Sequence, residues 1–242
     1  MNRCRKAGLF LLALTFAVSA SLPVRAAAPD SPVIKRADFR GVTASTDIQH
    51  IADWVVHSGD HKALPFIIVD KLNAKAVAFD RNGKLLRTTP ILIGMGVGDT
   101  FEPGVIDMNM HETKPSQRIT PAGRYIADED RNDKGERVLW VDYDTGIAIH
   151  KLSPRKTKQR RHERMVSPNP SDHRITYGCI NVPPAFYDQV VPHFRAKGGI
   201  VYVLPDSAPA KAIFKSYDVA DRRVSSARQA APDAGSSSIE RF

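Results

Sequence analysis

The chain has 242 residues, with 35 Lys or Arg against 26 Asp or Glu, a formal charge of +9, 42% hydrophobic residues and two cysteines. That length supports one hydrophobic core with tails and needs no disulfide to hold it. Four basic residues lie in the first 25 positions, and seven Lys/Arg against one Glu crowd between Lys151 and Met165; the remainder is close to neutral, which excludes a uniform nucleic-acid-binding face.

Arg3, Arg5 and Lys6 precede an apolar stretch from about Leu9 to Val18, and the small-residue sequence Val24-Arg25-Ala26-Ala27-Ala28 follows. A basic leader, a short apolar core and a small-residue site read as a secretory signal peptide over 1–28, cleaved near Ala26 to Ala28; the apolar run is too short to span a bilayer. Export to the periplasm or cell envelope is expected, with the membrane touched only through the leader. Cys4 leaves with it, so the mature chain keeps one thiol, Cys179. A leftover cysteine in an oxidising compartment is a reactive thiol, a buried inert one or half of an intermolecular disulfide.

Residues 29–63 read as a linker and a short amphipathic helix. Thr46-x-x-Gln49 has the form of a capping box, and Ile48, Ile51, Ala52 and Val55 recur at helical spacing up to Gly59. His57 and His61 stand four apart, but Gly59 and Pro65 end the helix there, which favours a solvated helix end over a metal pair. From 64 to 206 the pattern is one of strands: PFIIVDKL, KAVAFD, an Asn82-Gly83 turn, KLLRTTPILIG, then RYIADED and ERVLWVDYD around a turn at Asn132 to Gly135. Asp144-Thr145-Gly146 turns into IAIHKL. Pro183 and Pro184 suit the first turn of a helix whose face carries Phe186, Val190 and Phe194, with Pro192 kinking or shortening it. GGIVYVLP closes the sheet. The fold class is mostly β, a mixed sandwich or barrel with one or two short helices. Residues 207–242 read as a tail, disordered from about 222.

The glycines of GMGVGDTFEPG have a strand before them but no helix after, so they read as a strand-to-strand loop rather than a phosphate cradle. No cofactor and no metal are expected. The chemistry concentrates instead at ITYGCINVP. A thiol of ordinary pKa, about 8.5, is only a few per cent ionised at neutral pH, so a nucleophile there needs a base or a positive dipole nearby. Gly178 lets backbone approach a substrate, and the helix beginning near Pro183 is expected to point its positive end back at the Cys179 segment. The bland alternative is a packed cysteine at a strand-to-helix junction. His150, ending the apolar strand GIAIH, is the best base, the alternative being a rim histidine bonded to backbone. His173, in the polar NPSDHR loop, is second and reads as solvated.

TYGCIN is similar to the Ser/Thr-x-Gly-Cys-apolar-Asn signature of the YkuD-type L,D-transpeptidases, and IAIH resembles the histidine-bearing strand that precedes it. IIVDKLNAKAVAFDRNGKLLRTTPILIG resembles the family's opening hairpin and ITPAGRYIA its TPTGxF-like strand. The likeness spans about residues 64–205. It implies a catalytic domain whose cysteine attacks the peptide bond of a peptidoglycan tetrapeptide stem, expels D-alanine and passes the acyl group to an amine. Carried over, Cys179 is the nucleophile and His150 the base. Backbone N–H groups around Gly178 and Cys179, with Tyr177 beside them, receive the oxyanion; Thr176 and Asn181 brace the turn, and the backbone carbonyl of Lys151 orients the imidazole.

Two departures stand out. Tyr177 occupies a position usually held by His, and His150 lies 29 residues before Cys179, about ten more than the family pattern. The excess is the basic segment, read as an inserted loop or lid. Arg160, Arg161, Arg164, His173 and Arg174 are candidate substrate contacts within or beside it, the alternative being a solvated loop. The partners implied are peptidoglycan stem peptides, with another stem or a wall-attached protein as acceptor. Competing readings are an L,D-carboxypeptidase or amidase using water, a wall-binding module without activity, and a thiol redox protein, the last lacking a resolving cysteine.

Overall fold

The computed structural model describes residues 34–109, 111–153 and 159–221; the expected leader, the expected disordered tail and part of the basic segment lie outside them. Strand β1 (Phe66–Asp70) is buried along its whole length, and its alternation shows why. Phe66 and Ile68 join one apolar cluster, Ile67 and Val69 another on the opposite face. A strand covered on both faces needs apolar residues at every position rather than every second one.

β1 hairpins with β2 (Lys75–Phe79), which pairs with β3 (Leu85–Pro90). The other strands of the main sheet are β5 (Gly123–Arg131), β6 (Arg137–Asp142), β7 (Ile147–Lys151), β9 (Ile180–Val182) and β10 (Gly199–Val203). Their order is β3-β2-β1-β10-β5-β6-β7-β9, and a short β4 (Ile93–Gly94) pairs with β8 (Arg174–Thr176). β10 therefore does not close the sheet at an edge. It runs parallel to β1 and antiparallel to β5 in the middle, where Ile200, Tyr202 and Leu204 feed one apolar face and Val201 and Val203 the other. Beyond β3, Leu92 exchanges both backbone hydrogen bonds with Asn181 of β9, at 2.9 and 2.8 Å. That bridge draws the two sheet edges together into a nearly closed barrel.

Helix α1 (Thr46–Ser58) covers one face with Ile48, Ile51, Ala52 and Val55. Its cap is Ser45 rather than Thr46: the Ser45 hydroxyl accepts the Ile48 N–H, and Gln49 donates to the Ala44 carbonyl instead of closing a box. His61 is not solvated but buried, its ring between the carbonyls of Val55 and Arg81. Helix α3 (Pro184–Val190) packs Phe186, Tyr187 and Val190 on the other face and passes into a 3-10 turn at Val191–Phe194, the shortening expected of Pro192. Two one-turn helices, α2 (Arg161–Met165) and α4 (Ala210–Phe214), are also present among the described residues. α4 corrects the boundary drawn at 207: Ala210, Phe214 and Val219 belong to the core beside α1.

Candidate active site

At one end of the barrel lies a cleft of about 870 Å³ that His150, Cys179, Asn181, Thr176, Tyr177 and Arg161 share. The ladder between β7 and β9 is parallel and pairs Ile149 with Ile180 and His150 with Asn181. Alternation then sorts the side chains: Ile149 and Ile180 enter the core, while His150, Asn181 and Cys179, two residues before Asn181, face the cleft. His150 and Cys179 are each half-buried. Cys179 carries a thiol rather than a disulfide, and that thiol donates to the Gly146 carbonyl at 3.5 Å.

The turn ahead of the thiol is held by two threonines. Thr176 donates its hydroxyl to the Cys179 carbonyl at 2.6 Å and accepts the Gly178 N–H at 3.1 Å. Thr120 donates to the Gly178 carbonyl at 2.7 Å and accepts the Gly94 N–H at 2.9 Å. Gly178 has a φ of +132°, and a Cβ there would stand 2.6 Å from the Ile119 carbonyl oxygen and 2.7 Å from the Ile147 Cδ1. Only glycine fits that backbone. Because the Gly178 N–H is spent on Thr176, it is not presented to the cleft as expected from the sequence.

β9 stands between Cys179 and α3 in the chain, and Pro184, the first residue of α3, lines the same cleft as the thiol. Tyr177 is clamped: the Arg118 guanidinium lies 4.0 Å over its ring and His111 meets it edge-on. Arg118 is in turn fixed by the Thr113 hydroxyl and carbonyl. Lys151 turns its ammonium away to Asp188, at 2.5 Å.

Residues 65–203, more than half of the chain, match the family model described as the YkuD L,D-transpeptidase catalytic domain. The chain belongs to this family. Among solved structures, this L,D-transpeptidase domain is similar to an L,D-transpeptidase from Xylanimonas cellulosilytica, with 13% identity over 58% of this chain and 60% of the other and a TM-score of 0.38. An L,D-transpeptidase from Mycobacterium smegmatis gives 15% identity, 57% and 58% coverage and a TM-score of 0.34. The helical cell shape determining protein Pgp2 of Campylobacter jejuni gives 15% identity, 66% and 52% coverage and a TM-score of 0.39. In each case less than two thirds of the solved chain is covered. No curated protein sequence matches.

Of the five candidate substrate contacts named from the sequence, only Arg161 reaches the cleft of the L,D-transpeptidase domain. Arg160 is exposed and pairs with Glu163, and Arg164 donates to the Asp172 carbonyl at 2.8 Å. His173 is buried, not solvated, with its ring between the carbonyls of Ile91 and Ser167. Arg174 bonds the Gly96 carbonyl and the Asp206 carboxylate. These last two brace the loop around the site, and neither lines the cleft.

Sequence reasoning missed Thr120, Arg118 and Lys71. Lys71 is buried, with its ammonium donating to the carbonyls of Gly98 and Thr120 and to Asp99, 3.2 Å from the Asp206 carboxylate. It ties the glycine-rich loop to the core. Its visible signal was a lysine directly after an apolar strand, in IIVDKL.

Proposed function

We propose that this chain is an exported cysteine acyltransferase that joins peptidoglycan stem peptides by L,D-transpeptidation through a thioester on Cys179. The observation that carries the reading is the convergence of His150, in β7, and Cys179, the residue before the adjacent β9, in one cleft of an L,D-transpeptidase catalytic domain. His150 takes the thiol proton as the sulfur attacks the carbonyl carbon of the donor stem's scissile peptide bond. The developing oxyanion is received by the backbone N–H of Cys179, with Tyr177 beside it, a donor of this kind stabilising the transition state by about 3 kcal/mol. The C–N bond then breaks, and the imidazolium returns its proton to the departing D-alanine amine.

In the second half an acceptor amine attacks the thioester, gives its proton to His150 and expels the thiolate, which regains the proton. The acceptor is another stem or a wall-attached protein. No cofactor takes part. We assign the orientation of the imidazole to the backbone carbonyl of Lys151, the next residue of β7, because that lysine's ammonium is held outward by Asp188 and has no lone pair to offer.

Purified protein incubated with a carbapenem and weighed intact tests the nucleophile: an adduct is expected on the wild type and none on Cys179→Ala. Digestion of sacculi followed by mass spectrometry of the mucopeptides tests the transfer. New crosslinks are expected; stems that only lose D-alanine would replace the transferase with a hydrolase using water, and unchanged stems with no adduct would leave a wall-binding module.

A further inference from the structure

Among the described residues, the segment between β7 and β8 sends the Arg161 guanidinium into the cleft, and the steps above do not use it. Arg161 is the first residue of α2. The residue before it, Arg160, has a left-handed φ of 50°, a conformation unfavourable for any residue but glycine, and from this turn Arg160 stays at the surface with Glu163 while Arg161 runs inward. Met165, one turn on, packs with Leu92 and Leu152, so α2 is seated on apolar side chains rather than suspended in solvent.

The Arg161 side chain is thereby covered, with the residue 6% exposed. Its Nε donates to the Gln159 side-chain oxygen at 2.6 Å, and its Nη1 donates to the side-chain oxygen of Asn181. Both acceptors are neutral, and among the described residues no carboxylate pairs with it. A buried cation lacking a counter-ion is destabilising unless an anion forms within reach. Asn181, in β9, lies two residues after Cys179, and Arg161, Cys179 and Asn181 all line one cleft. Burial pushes the Arg161 guanidinium below its ordinary value while the charge of the Cys179 thiolate pushes it back up; the same attraction acts in reverse on the sulfur.

We propose that Arg161 is a positioning residue that supplies the fixed counter-charge for the Cys179 thiolate, held at its post by Asn181, so that the basic segment completes the nucleophile's site. The proposal rests on the reading of Cys179 as the nucleophile. Other groups share the cleft: His150 and Lys151 on β7, His111 between β4 and β5 and Tyr177 on the thiol's own turn. The β5–β6 turn adds Asp133, Lys134 and Glu136, and β6 adds Arg137, which is paired with Glu129. Lys151 is committed to Asp188. Among the described residues Arg161 is the buried permanent cation of this cleft.

The rate of Cys179 alkylation by iodoacetamide, followed against pH, reads the thiolate without any peptidoglycan. Arg161→Gln is expected to move the profile to higher pH and slow alkylation at pH 7 about tenfold or more, the effect of losing one close charge; Arg161→Lys is expected to recover most of the loss, which a merely structural arginine would not allow. A folded Arg161→Gln with the wild-type profile overturns the proposal. Should that variant fail to fold, His150→Ala decides: with Arg161 in place its thiol is expected to react at pH 7 well above an ordinary thiol, and a profile matching free cysteine refutes the idea. Wild-type protein that shows the arginine-dependent profile yet leaves sacculi untouched would overturn the transpeptidase reading and leave this inference standing.

Discussion

Thr120 donates its hydroxyl to the Gly178 carbonyl at 2.7 Å and accepts the Gly94 N–H at 2.9 Å, so one buried side chain joins β4 to the turn that carries the thiol. Thr120→Val keeps the shape and removes both bonds, stranding a buried donor and a buried acceptor. A loss of about 2–4 kcal/mol in denaturant unfolding is expected, with slower alkylation of Cys179. Thr120→Ser is expected to keep both properties near wild type.

Gly178→Ala tests the turn itself. The new methyl would meet the Ile119 carbonyl oxygen at 2.6 Å, a backbone atom that cannot swing aside as a side-chain end can. The turn has to shift, and displacement of a nucleophile by about 1 Å costs on the order of 100-fold in rate. Turnover on sacculi is expected to fall by at least that factor; a fall smaller than threefold would show that the turn tolerates a side chain.

Lys71→Met removes a buried ammonium from between Asp99 and Asp206 and leaves the carbonyls of Gly98 and Thr120 unpaired. The carboxylates then repel without a cation, and a destabilisation of about 3–5 kcal/mol is expected. Native-state hydrogen exchange is expected to place the early opening in the glycine-rich loop at 95–120 rather than in β1.

Glu129 carries an acid-stability signature. Partial burial pushes its carboxyl up, but the Arg195 and Arg137 guanidiniums bonded to it outweigh that and hold it below its ordinary value. A carboxyl more acidic folded than unfolded stabilises the protein fully above the unfolded value of about 4.3 and loses that contribution as the pH falls through the folded one. Unfolding followed between pH 6 and pH 2 is therefore expected to show a steeper acid loss in wild type than in Glu129→Gln, with the two curves converging at the acid end. Parallel curves would mean that the pair contributes nothing.

The strands were legible because alternation and unbroken apolar runs leave a periodic trace: FIIVD, KAVAF and GIVYV all lie where their pattern places them. The hairpin turns announced themselves through Asn82-Gly83 and Asp144-Thr145-Gly146. The position of β10 in the sheet was not legible, since a strand buried on both faces has the same composition at the centre of a sheet as at a covered edge. α4 was missed because five residues among Ala, Ser and charge leave no periodicity to count.

The candidate site divides in the same way. Cys179, Gly178 and His150 could be singled out from the chain alone, because a lone thiol beside a glycine and a histidine ending an apolar strand are local facts. Whether those groups meet, which of five basic residues reaches them, and that His173 serves structure are matters of register and burial across distant segments. A sequence specifies which side chains can do chemistry; the parallel pairing of β7 with β9 and the inward turn at Arg160 decide which of them share one cleft, because distance and desolvation exist only once the chain has folded.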